Sequence, residues 1–104
     1  MAERVIDLNR HIPNEVPHLP TYISESRQDT VSWECEEEFE ITDITPRNPF
    51  FRDFPALATL SASDHRYRLN SGPTKPNSKG THYHSHFRTT GRPAAGDPDI
   101  IVDA

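Results

Sequence analysis

The chain is expected to fold as an all-β protein, an antiparallel β-sandwich of about seven strands joined by long Pro-rich loops. Three observations lead there. Apolar and polar residues alternate in short runs, as in Thr30-Val31-Ser32-Trp33-Glu34-Cys35 and Thr81-His82-Tyr83-His84-Ser85-His86-Phe87. Successive strand side chains point to opposite faces, so each run builds one buried and one wet face. Ten prolines against four glycines suit loops and strand edges and exclude long helices. The runs recur at roughly ten-residue spacing with turn residues between them.

A length of 104 residues corresponds to one domain, residues 1–104, with 1–20 as an extended N-terminal segment. Within that segment residues 4–8 form a short strand, with Val5 and Asp7 on one side and Ile6 and Leu8 on the other. Pro13, Pro17 and Pro20 keep residues 11–20 extended. Thr21-Tyr22-Ile23-Ser24 reads as the next strand. The runs 30–35 and 39–43 place Val31, Trp33 and Cys35 on one face and Phe39 and Ile41 on another, with Glu36, Glu37 and Glu38 between them. They are expected to pair as an antiparallel hairpin centred on Trp33. Residues 45–63 are irregular, and Phe50, Phe51 and Phe54 plug one end of the fold. Residues 66–69 form a strand, 71–80 a loop, 81–88 the histidine strand, 91–98 a Gly/Pro/Ala loop and 99–102 the last strand.

A net charge of −5 and a pI near 5.6 exclude general nucleic-acid binding, which needs a basic stripe. No run approaches the ~20 apolar residues of a membrane span. Charges at Glu3 and Arg4 interrupt any signal-peptide core, and a lone Cys35 forms no internal disulfide, so a cytoplasmic location is expected.

The order of elements resembles a family. A Val-x-Trp strand (Val31, Trp33) and a Phe-x-Ile strand (Phe39, Ile41) precede an Asn48-Pro49-Phe50 turn. A Gly80-led aromatic strand follows, and the chain closes on Asp97-Pro98-Asp99-Ile100-Ile101-Val102. Over residues 20–104 this is similar to small bacterial proteins with a cupredoxin-like or immunoglobulin-like sandwich. The resemblance implies fold only. Blue-copper sites need a thiolate near the last strands, whereas Cys35 is early and the only methionine is Met1.

His82, His84 and His86 share one face, and neighbours at i, i+2 stand about 7 Å apart at Cα, within reach of one ion. Cu(II), Ni(II) and Zn(II) suit imidazole donors. Three in a row span about 13 Å, so an ion engages two of them and needs a further ligand, from His65 or from residues 34–40. Hydrophobicity turns Tyr83 and Phe87 inward and the histidines outward; a one-residue slip would reverse this. Cys35 alternates with Val31 and Trp33 and reads as core. The five glutamates between 34 and 40 lack the glycine turn and spacing of a calcium loop. Asp64-His65 has no Gly-x-Ser-x-Gly partner motif, so no hydrolase is expected.

The expected function is therefore a non-enzymatic binding or interaction module. It meets a protein partner or a second copy through Phe50, Phe51 and Phe54 and the sheet edges. The alternative is a metal-binding protein using His82, His84, His86 and His65 for Cu, Ni or Zn.

Overall fold

A computed structural model of the protein describes residues 2–10, 20–90 and 98–103. These hold β1 (Glu3–Asp7), β2 (Thr21–Ser24), β3 (Thr30–Cys35), β4 (Phe39–Thr45), β5 (Ala56–Leu57), β6 (Thr59–Leu60), β7 (Tyr67–Asn70), β8 (His82–Thr89) and β9 (Asp99–Asp103). One 3-10 turn, Leu8–Arg10, follows β1. The expected extended stretch 11–19 and most of the expected loop 91–98 lie outside the described residues. No helix among the described residues is long and apolar enough to cross a membrane.

The fold is all-β. One sheet has four strands in the order β1-β3-β7-β6, the other five in the order β2-β9-β8-β4-β5. Both are mixed, which corrects the expectation of a purely antiparallel fold: β1 runs parallel to β3, and β2 parallel to β9. The cause is the path of the chain. From β1 it crosses to the second sheet as β2 and returns as β3, and such a crossover is what brings a strand back in the same direction.

The expected hairpin of residues 30–43 is also corrected. β3 pairs with β1 and β7, whereas β4 pairs with β8 and β5, so the turn at 36–38 passes from one sheet to the other. Alternation alone is satisfied equally by strands side by side and by strands facing across a core. Facing each other, Val31, Trp33 and Cys35 meet Phe39, Ile41 and Ile44 in one cluster drawn from both sheets.

Trp33 is the centre of that cluster and is 0% exposed. Its ring meets Phe50 and Phe54 edge-on, at centroid distances of 6.2 and 5.9 Å. Its indole N–H donates to Ser85 Oγ at 3.3 Å, and Ser85 Oγ donates to the Pro98 carbonyl at 3.0 Å. One hydrogen bond thus ties β3 to β8 through the core.

The two sheets are joined at both sides. At one, residues 56–60 switch sheets within a single step: Ala58 N–H donates to Phe39 O, while Thr59 pairs with Arg68. These two short strands were not expected, because Leu57 and Leu60 are both exposed and the stretch shows no alternation. At the other side, buried Asp29 accepts from the N–H of Ala2 at 2.9 Å and of Ser24 at 2.8 Å. Burial pushes its carboxyl pKa up. The two amides, with Arg27 and Arg4, outweigh this and hold it below the ordinary 3.8.

Two outcomes follow for stability. Ser85→Ala leaves the buried indole N–H without an acceptor and should cost about 1–3 kcal/mol in urea denaturation. A depressed native pKa means the folded state binds the Asp29 proton more weakly than the unfolded chain does. Its contribution is therefore complete above pH 3.8 and is lost as pH falls through the native value. Asp29→Asn should lower stability at neutral pH, and its deficit against the wild type should shrink in titrations carried below pH 3.8.

Candidate metal centre

The parity of β8 decides what the histidines do. Tyr83, Ser85 and Phe87 are buried, while His82 and His84 are exposed and His86 is half-buried on the outer face. This is the orientation expected from hydrophobicity. β9 lies antiparallel beside β8, with Asp99 opposite His84 and Ile101 opposite His82. Asp99 is thus the direct neighbour of one histidine and the diagonal neighbour of the other, both within side-chain reach.

The carboxylate takes both imidazoles. His84 Nδ1 lies 2.7 Å from Asp99 Oδ1, and His82 Nε2 lies 3.4 Å from Asp99 Oδ2. A carboxylate only accepts, so His84 donates its Nδ1–H to Asp99, while His82 stands at ion-pair distance. The two rings stack at a centroid distance of 4.8 Å with 26° between planes. One donor atom from each of the three residues falls within 4.8 Å of the others. Donors on a tetrahedral ion with bonds of about 2.0 Å stand about 3.3 Å apart. The two His–Asp99 separations go to different carboxylate oxygens, and the donor set, spread over as much as 4.8 Å, must contract by up to about 1.5 Å to close on one ion.

The remaining candidates lie elsewhere. His86 Nε2 is 2.9 Å from Thr45 Oγ1, toward β4. His65 sits in the β6–β7 turn of the four-stranded sheet with φ 56°, so of the four histidines only His82 and His84 fall in the cluster. Glu34 pairs with Arg66 and Arg68, Glu40 pairs with Arg88, and none of the glutamates at 34–40 falls in the cluster. The third donor, Asp99, was missed. Alternation in the last strand puts it on the wet face, but nothing in the sequence says which strand lies beside the histidines.

The three phenylalanines differ in exposure. Phe50 is fully buried and Phe54 half-buried, both against Trp33, and only Phe51 is exposed. Cys35 is core, as expected. Burial pushes its thiol pKa up, the Glu37 amide N–H opposes this, and the charges of Glu37 and Asp7 add to the rise.

Comparison with protein-family models, with curated proteins and with solved structures found no match to this chain. The reading of the site therefore rests on its geometry. For the thiol, native protein should react with a disulfide reagent at neutral pH only at the rate of unfolding, and at once in denaturant; a fast native reaction timed by absorbance would contradict the burial of Cys35.

Proposed function

We propose that the protein is a small non-enzymatic binding module that takes a divalent transition-metal ion, Cu(II), Ni(II) or Zn(II), at His82, His84 and Asp99. The observation that carries this is the convergence of two imidazole nitrogens and one carboxylate oxygen within 4.8 Å on paired strands. Two nitrogens and one oxygen suit borderline first-row ions, with Cu(II) bound most tightly by the general order of divalent affinities. Strand pairing supplies preorganisation, since His84 and Asp99 are held opposite each other by the backbone ladder.

Binding is favoured over catalysis by exposure. The His82 and His84 side chains are 49% and 47% exposed, so an ion there faces open solvent, where no walls orient a substrate. The single core shared by two mixed sheets supports reading the fold as a sandwich of the cupredoxin-like or immunoglobulin-like kind. A lone buried thiol suits a reducing, cytoplasmic setting.

Calorimetric titration of tag-free protein with each metal tests the site. One equivalent should bind, and His84→Ala and Asp99→Asn should each weaken it by at least about tenfold. His86→Ala and His65→Ala should leave affinity within about threefold of the wild type, a change of less than about 1 kcal/mol. Binding that His84→Ala leaves unchanged would refute this assignment.

A further inference from the structure

Two neighbouring loops of this chain are basic and one turn is acidic. Residues 46–52 and 71–80 carry Arg47, Arg52, Lys75 and Lys79 and no carboxylate, in a chain of net charge −5. The two loops are zipped together: Phe50 bridges Thr74, Phe51 N–H donates to Pro73 O, and Lys75 N–H donates to Pro49 O. Arg47 adds a bond to the Asn77 carbonyl at 2.7 Å. Burial of Phe50 beneath them anchors the pair, so the cations sit on a built platform. Arg47, Arg52 and Lys79 are exposed and Lys75 is half-buried. Among the described residues none of the four is in an ion pair. A depression of about 360 Å³ runs between Arg47, Asn48, Lys75 and Asn77. Three carboxylates adjoin the platform: Asp53 follows Arg52, Glu25 Oε1 is occupied by the N–H groups of Ser78 and Lys79, and buried Asp29, whose carbonyl accepts from Thr74 Oγ1, is occupied by the amides of Ala2 and Ser24.

The opposite end is acidic. Glu36, Glu37 and Glu38 form the turn between β3 and β4, with Glu36 and Glu38 exposed. Strand direction separates the two features. β3 runs from Thr30, beside the loop that starts at Ser71, to Cys35, and β4 runs back from Phe39 to Thr45, where the other basic loop begins. Along β4 the ends are about 20 Å apart. That is about twice the screening length at physiological salt, so the two ends barely neutralise each other within one molecule.

From this complementarity we propose that the chain self-associates head to tail, the acidic turn Glu36–Glu38 of one copy seating on the basic loops of the next. The surfaces are different patches of one molecule, so the contact is heterologous and need not close. It extends into linear assemblies. Its strength is electrostatic, and added salt dissolves it. The contact uses none of the metal-site residues and stands without that site.

Sedimentation velocity in the presence of a chelator tests it. At ionic strength of about 20 mM the wild type should show concentration-dependent species of at least about twice the monomer mass, reverting to monomer at about 500 mM. Glu36→Gln with Glu38→Gln, and separately Arg52→Gln, Lys75→Gln and Lys79→Gln together, should each give monomers with unchanged thermal melting. Mixed in equal amounts, the two variants should form a two-chain complex and nothing larger, since one retains the basic end and the other the acidic end. A monomeric wild type at low salt would overturn the proposal. So would assembly that survives neutralising the acidic turn, or a mixture of folded variants that stays monomeric.

Discussion

A fully buried indole must find an acceptor, and in this protein Ser85 Oγ provides it for Trp33. That requirement reaches to the surface. With Ser85 facing inward, alternation along β8 sends Tyr83 and Phe87 inward as well and turns His82, His84 and His86 out. A slip of one residue would bury three imidazoles, expose two aromatic rings and leave the indole unpaired. The pairing of β8 with β9 then brings Asp99 opposite His84. The geometry of the outer site is thus set by a hydrogen bond in the core.

The two outer faces differ in how their charges are used. On the four-stranded sheet Glu34, Asp7 and Asp64 are met by Arg66 and Arg68, and Glu3 accepts from Ser32 and Asn70. Those groups neutralise one another and cover the sheet. On the five-stranded sheet the ion-pair partners of Asp99 among the described residues are two imidazoles, side chains that can give up a ring proton. A guanidinium in that place would have made the carboxylate a structural group, because it keeps its protons.

Much of the fold was legible in the sequence, and what was hidden has a common physical cause. Alternation is local, so the inward set Val31, Trp33 and Cys35 and the outward histidines could be read directly. Neighbour relations are not local. The glutamate turn at 36–38 looks the same whether its strands lie side by side or face each other, and the parallel pairs depend on a crossover invisible in any short window. Asp99 was hidden for that reason, being about fifteen residues from His84 and meaningful only once β9 lies beside β8. Phe50 and Phe51 show a further limit. Adjacent identical residues differ completely in exposure, and only the position of the Trp33 ring tells them apart.

The sheet-switching run 56–60 and the carboxylate of Asp29 sit at opposite sides of the molecule, since β5 and β6 are one pair of edges and β1 and β2 the other. The molecule is bound like a book. Its spine is a continuous stretch of backbone shared by both covers. At its fore-edge the backbone of residues 25–29 also passes between the covers, and the two oxygens of Asp29 add a clasp, one on the amide before β1 and one on β2. The clasp is made of two hydrogen bonds to a carboxylate, and it weakens when a proton occupies that group. Protonation of Asp29 weakens the two hydrogen bonds that reach Ala2 and Ser24, so this carboxylate is a point at which acid acts on the fold.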